Sequence, residues 1–342
     1  MKQPVNPAAR TRILVVKLSS LGDLFHVLPA VRLLKSQLNA SVDWVTQTEY
    51  APLVECFPDV RRVIPFPRRR KQGSRLKFLR ELWRFRYDYI IDFQGLMKSA
   101  LITRLARGTR RIGPSFHREW SSLFYTTVTG PKNKDRHAVD ENIDVVRHLG
   151  LELGAPEFPL AFPDVSIDTP APRVAIVPVT RWKNKCWPWE SFVAAGRQLR
   201  SRTGASLYIV GSAEDQDVCR RISEEIGGPV VNLAGRTSIV EMGSLLAKMD
   251  IVLCNDSGPM HVAAALNVPL VAVFGPTDPR RTGPYGQLHH VLMGRNSCQP
   301  CMDDNCKLGV VVCMREVTPA AVVDLAARIL ELGSGSAPSD QG

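Results

Sequence analysis

Asp256-Ser257-Gly258-Pro259-Met260-His261, followed by Phe274-Gly275-Pro276-Thr277-Asp278, sets an acid, a hydroxyl, a backbone-exposing glycine and an imidazole at successive turns. Each turn ends an apolar run, Ile251 to Cys254 and Leu270 to Phe274, that reads as a buried strand, and the small residues from Val262 to Leu266 between them read as a helix. In open parallel sheets ligands bind beyond the carboxyl ends of the strands, where helix N-termini favour anions. The constellation therefore suits a sugar diphosphate. An N-cap turn alone accounts for Asp256 and Ser257; it asks for neither His261 nor a second polar loop.

Two further turns carry chemistry. Lys17-Leu18-Ser19-Ser20-Leu21-Gly22-Asp23 follows the apolar run Ile13 to Val16, and a carboxylate at such a strand end could take a proton from an attacking hydroxyl. Asp23 could equally cap the helix that follows or favour its dipole. Thr180-Arg181-Trp182-Lys183-Asn184-Lys185 follows the run Val174 to Val177, with Pro188 suited to the first turn of a helix. Cations ahead of a helix start oppose its dipole, so Lys185 reads as a phosphate contact.

Other groupings are weaker. Ser238-x-x-Glu241 is a capping box, which predicts no ligand contact. Asp215-x-Asp217 could hold a divalent metal, but two acids in a first helical turn are commonplace. Cys298, Cys301, Cys306 and Cys313 could hold a structural zinc, although their spacing is that of neither a finger nor a ribbon. Packed or free thiols are the alternative.

These turns need two scaffolds. Strand-like runs alternate with helical patterns, Leu24, Val27, Leu28, Val31, Leu34 and Leu38 forming one helix, with strands at 41–45 and 89–92. Five prolines between Ala155 and Pro172 read as a linker spanning 156–172. Alternation then restarts at 174–177, 207–210, 230–231, 251–253 and 270–274. The expected fold class is α/β, with two doubly wound, Rossmann-like parallel-sheet domains, 12–155 and 173–332, between a flexible N-terminus (1–11) and a disordered tail (333–342). Neither a G-x-G-x-x-G after the first strand nor a P-loop is present, which disfavours a nicotinamide enzyme or a P-loop phosphotransferase.

The chain has 342 residues, 44% of them hydrophobic, enough for two cores. No apolar stretch reads as a membrane span or signal peptide, so a cytosolic protein with mostly reduced cysteines is expected. Net charge is +11, and Arg61 to Arg111 holds 16 Lys and Arg against three acids. Such a field recruits anionic partners: nucleic acid, acidic lipid headgroups or an anionic substrate. Arg68, Arg69, Arg70, Lys71 and Arg118 are the candidate anion-binding surface. A solvated basic face is the plainer reading, and no nucleic-acid-binding module is evident.

The motifs resemble one family. Val15 to Pro29, Asp256 to His261 and Phe274 to Pro279 are similar to the signatures of the lipopolysaccharide heptosyltransferases, glycosyltransferase family 9. Asp92 to Ala100, with Arg118-Glu119 and Ser122 to Tyr125, is especially similar to heptosyltransferase I. The resemblance runs from about residue 12 to 330. It implies a GT-B fold, the two domains facing a central cleft, with acceptor bound in the first and donor in the second. It also implies inverting, metal-independent transfer of L-glycero-D-manno-heptose from ADP-heptose, a co-substrate rather than a cofactor, to Kdo-lipid A, at the cytoplasmic face of the inner membrane. On that resemblance Asp23 is the general base. Thr180 and Lys185 hold the diphosphate, Glu241 the adenosine ribose, and Asp256, Ser257, Gly258 and His261 the sugar and phosphates. Ser20, Gly22, Gln94 and Lys98 join the basic residues on the acceptor. The four-cysteine segment is more like heptosyltransferases II and III, so a heptosylated core is the alternative acceptor. A sugar-nucleotide epimerase of the same fold and a nucleic-acid-binding protein are the other readings.

Overall fold

Runs of apolar residues such as Ile13 to Val16, all fully buried, can only be strands covered on both faces, and parallel sheets provide that setting. The computed structural model describes residues 10–69, 73–133 and 135–334. The expected N-terminal extension before Arg10, the tail beyond Ser334, and Arg70 and Lys71 lie outside the described residues. The chain divides into two compact units, residues 1–161 and 162–342.

The first unit runs β1 (Arg12–Val16), α1 (Leu21–Phe25), α2 (Leu28–Gln37), β2 (Ser41–Gln47), α3 (Ala51–Glu55), β3 (Val60–Phe66), α4 (Arg75–Trp83), β4 (Tyr87–Asp92), α5 (Met97–Leu105), β5 (Gly108–Pro114), β6 (Thr127–Thr129) and α6 (Ala138–His148). Its six parallel strands are ordered β3-β2-β1-β4-β5-β6. The second unit repeats the plan with β7 (Arg173–Val177), α7 (Trp189–Thr203), β8 (Ser206–Ile209), α8 (Gln216–Ile226), β9 (Val230–Asn232), α9 (Ile239–Leu246), β10 (Ile251–Asn255), α10 (Gly258–Ala265), β11 (Leu270–Phe274), α11 (Pro279–Thr282), β12 (Val291–Met293), α12 (Val312–Arg315) and α13 (Pro319–Ser334). Its sheet, also parallel, is ordered β12-β11-β10-β7-β8-β9.

Both orders are those of doubly wound sheets. The chain leaves the first central strand toward one edge and later returns beside it, so helices diverge at the carboxyl ends of β1 and β4 and again of β7 and β10. A crevice opens at that switch point, and ligands bind there. Val16 pairs with Asp92 and Cys254 with Val177, which aligns the loops that follow.

Three expectations are revised. The helix expected from Leu24 to Leu38 is two helices, because Pro29 has no N–H to give and its ring collides with the carbonyl four residues earlier, at Phe25. The basic stretch from Arg61 is not all surface field. Asp43 is fully buried on β2 and accepts from Arg61 Nη2 (2.7 Å), Arg62 Nη2 (2.9 Å) and the Tyr87 hydroxyl (2.7 Å). Those two arginines neutralise a core carboxylate. Pro188 is the N-cap of α7 rather than a residue of its first turn.

Candidate functional site

In the first unit the loop after β1 carries Asp23 at the third position of α1, with Ser20 as N-cap. The carboxylate Oδ2 accepts from the Ser20 amide (2.9 Å) and hydroxyl (2.8 Å), while Oδ1 lies 3.8 Å from His26 Nδ1. Capping is therefore real, yet it does not hide the group, since the Asp23 side chain is 41% exposed. Burial of the surrounding loop acts to raise its pKa. The Lys17 ammonium, the His26 ring and the Ser20 bonds outweigh burial and hold it at about 2. At neutral pH it is a carboxylate, the form a general base requires.

The loop is fixed from beneath by distant residues. Gln94, just past β4, accepts from the Leu18 and Ser19 amides (3.1 Å each) through Oε1. Its own amide donates to buried Asp92 (2.7 Å), which also takes the Tyr125 hydroxyl (2.8 Å). Buried Lys17 donates to the Phe93 carbonyl (3.0 Å). Gly95 has φ +70°, and a Cβ there would lie 3.0 Å from Pro114, so only glycine suits this turn. Gln94 is a candidate acceptor contact, and its oxygen also braces the Asp23 loop. Replacing Gln94 with Leu leaves both amides without that acceptor. The expected result is a fall in kcat of about ten- to a hundred-fold from misplacement of the base, with donor affinity and acceptor KM unchanged. A raised KM at constant kcat would mean that Gln94 contacts the acceptor instead.

Ser20, Gly22, Asp23 and Gln94 thus converge at one switch point. Arg118 joins through its amide, which donates to the Gly95 carbonyl (2.8 Å), and Lys98 stands exposed on the first turn of α5. Arg68 and Arg69 are exposed past the end of β3, two strands from β1.

In the second unit three loops meet, those after β7, β10 and β11. Asp256, after β10, is buried; its Oδ2 accepts from Lys185 Nζ (2.7 Å) and the Thr277 hydroxyl (2.6 Å), and its carbonyl from the Thr180 hydroxyl (3.0 Å). Lys185 lies 4.4 Å over the Trp182 ring. Asn255, fully buried, takes the Trp187 amide (3.0 Å) and donates to the Pro178 carbonyl (2.8 Å), locking the β7 and β10 loops together. Ser257 is the N-cap of α10 and Gly258 its first residue; among the described residues the buried Ser257 Oγ has no hydrogen-bond partner. His261 is buried in the same helix. A cation, hydroxyls and a helix N-terminus at one switch point are the groups an anion site would use.

Glu241 behaves as a cap, its carboxylate accepting from the Ser238 amide (2.7 Å), which lowers its pKa. Asp215 likewise caps Ser212, and exposed Asp217 pairs with Arg220. Among the described residues no His, Cys, Asp and Glu side chains gather as a metal-holding group. Cys298 and Cys301 are exposed, Cys306 donates to the Val310 carbonyl (3.2 Å), and burial raises the pKa of Cys313. The segment around them braces the loops after β7 and β11, which no local pattern announced. Gln299 Nε2 donates to the Gly275 carbonyl (2.9 Å), the Met302 amide to Pro276 (2.7 Å) and Asn184 to Asp303 (2.8 Å).

Comparison with known proteins fits this geometry. Residues 75–312 match the model of glycosyltransferase family 9 (heptosyltransferase). The lipopolysaccharide heptosyltransferase 1 of Pseudomonas aeruginosa is 30% identical over 316 residues, covering 86% of this chain and 87% of that one. The Escherichia coli enzyme of the same name is 30% identical over 298 residues, covering 81% and 91%. Among solved structures, the E. coli heptosyltransferase WaaC with ADP superposes with a TM-score of 0.74 at 27% identity, covering 94% and 98%. The fold is thus that of the GT-B heptosyltransferases. With a family model matched over residues 75–312 and relatives 30% identical over most of its length, the chain belongs to glycosyltransferase family 9, the heptosyltransferases.

Proposed function

We propose that this enzyme transfers L-glycero-D-manno-heptose from ADP-heptose to Kdo-lipid A in lipopolysaccharide core synthesis, with inversion and without a metal. The observation that carries the reading is Asp23, ionised, 41% exposed and braced at the switch point of the first unit. The acceptor hydroxyl binds there and the donor in the second unit. A single displacement at the anomeric carbon forms the new glycosidic bond as the bond to the ADP oxygen breaks, and Asp23 takes the hydroxyl proton. A carboxylate near pKa 2 is a weak base, so proton transfer follows once C–O bond formation has made the acceptor oxygen acidic. Lys185, Thr180 and the α10 N-terminus stabilise the charge that grows on the departing diphosphate. Lys185 supplies a cation where other transferases use a metal. Its present partner is Asp256 (2.7 Å), so a diphosphate takes a share of an ammonium that the protein already holds in place.

The product's anomeric configuration, read by NMR, tests the mechanism: it should be opposite to the donor's, and retention would contradict a single displacement. The family relationship to lipopolysaccharide enzymes supports peripheral action at the cytoplasmic face of the inner membrane; among the described residues no helix is long and apolar enough to cross a membrane.

Kdo carboxylates and lipid A phosphates are anions, and Arg68 to Lys71 are the proposed landing surface. Neutralising Arg69, Arg70 and Lys71 together should raise the KM for Kdo-lipid A and flatten its salt dependence, since exposed charges act over about 8 Å at physiological ionic strength. Donor affinity should not change. A normal acceptor KM at low salt would remove these residues from acceptor binding.

A further inference from the structure

The outward faces of α4 and α5 are not purely polar. On α4, Leu76, Arg80 and Trp83 share one face at i, i+4 and i+7, with Leu76 71% exposed. On α5, Lys98, Leu101 and Leu105 share a face at i, i+3 and i+7, all exposed. In the loop after β5, Trp120 is 79% and Leu123 77% exposed.

Internal bonds make these three segments one surface. Trp83 Nε1 donates to the Leu105 carbonyl (2.9 Å) and the Arg107 guanidinium to the Trp83 carbonyl (3.1 Å), latching the ends of α4 and α5. Glu119 accepts from the Met97 amide (3.0 Å) and the Ser121 hydroxyl donates to the Gly95 carbonyl (3.0 Å), latching the loop to the start of α5. Singly scattered apolar residues need no explanation, whereas a contiguous set marks an interaction surface.

The charge around the set has one sign. Residues 75–123 contain eleven Lys and Arg against four acids. Each acid is engaged within the protein: Glu81 by Arg62, Asp88 by the Arg12 amide, Asp92 by the Gln94 and Gly95 amides, and Glu119 by the Met97 amide. What faces outward is cationic and studded with Trp and Leu. Trp favours the headgroup level of a bilayer, Leu the acyl boundary, and Lys and Arg the anionic headgroups. A nucleic acid would use the cations and could stack on Trp120, but it has no use for protruding leucines.

We propose that this face of α4, α5 and the 118–124 loop docks the enzyme on an anionic bilayer, with Trp120 and Leu123 entering the headgroup region. It rests on the reading that the acceptor is lipid-anchored, and it deepens that reading. The loop is bonded to Gly95, next to Gln94, whose side chain holds the Asp23 loop. A sugar rising from a lipid at this surface is therefore presented beside the base.

The test uses the full-length protein and vesicles of phosphatidylglycerol and phosphatidylethanolamine without acceptor. Wild type should co-sediment, less so at high salt and hardly at all with phosphatidylcholine alone. Trp120→Ser combined with Leu123→Ser should weaken partition by about tenfold or more, and Leu101→Gln, on a separate element, should add to the loss. The double variant should lose turnover of Kdo-lipid A embedded in such vesicles while keeping wild-type turnover of the deacylated, soluble acceptor. Partition of the double variant equal to wild type, or no binding of wild type to anionic vesicles, overturns the proposal. So does loss of binding to a homopolymeric RNA with vesicle binding intact. Vesicle partition reads docking alone and the deacylated acceptor reads transfer alone, so failure of one does not imitate failure of the other.

Discussion

Asp23→Asn should slow heptosyl transfer by about a hundred- to ten-thousand-fold, the contribution of a positioned general base, while ADP-heptose binds as before. Asn keeps an oxygen that can accept from Ser20, so the α1 cap and the melting temperature should survive, and lost activity then reports lost basicity. Its pH behaviour is equally specific. The folded carboxyl sits at about 2 against an ordinary 3.8, so its ionised form contributes stability that is complete above the ordinary value and disappears as pH falls through about 2. From pH 5 to 9 it stays a carboxylate. An acid limb of kcat/KM in that range belongs to another group, and the residual activity of Asp23→Asn should follow the wild-type profile there. Turnover within a few-fold of wild type would return Asp23 to a capping role alone.

Lys185→Ala is the second large effect. Losing one preorganised charge at the leaving group costs about a hundred- to a thousand-fold in kcat, and calorimetric ADP affinity should fall as well, because ground-state diphosphate meets the same ammonium. The substitution also strands Asp256, whose side chain is 7% exposed and whose remaining partner at Oδ2 is Thr277. Breaking a buried pair from one side is destabilising by about 3–5 kcal/mol. Lys185→Met with Asp256→Asn removes that stranded charge and should restore most of the stability without restoring ADP affinity. Unchanged ADP affinity in Lys185→Ala would place the diphosphate elsewhere.

Local pattern disclosed the central strands and also β2, β8 and the edge strand β9, but not β3, β5, β6 or β12. β1, β4, β7, β10 and β11 are apolar runs because both their faces are covered. β3, Val60–Phe66, carries Arg61, Arg62 and Pro65 and looks like a charged loop until Asp43 is seen facing its arginines across the pair with β2. β5 contains Arg110 and Arg111 between two glycines, and β6 and β12 are only three residues long, so neither period nor composition marks them. The candidate site divides the same way. Asp23, Lys185, Asp256 and Thr277 lie in turns that follow readable strands. Gln94 meets Leu18 from 76 positions away and Lys185 meets Asp256 from 71, and such pairings follow from strand order rather than from spacing along the chain. Lys185 illustrates the consequence: its position pointed to an anion, and its nearest anion is the protein's own carboxylate.

ADP release from ADP-heptose, measured with and without Kdo-lipid A, tests the central claim most directly. The account predicts ADP formation that depends on Kdo-lipid A, one heptose added per ADP, and loss of both in Asp23→Asn. Equal consumption of ADP-heptose without acceptor, as an epimerase would show, or transfer only to an already heptosylated core, would contradict it.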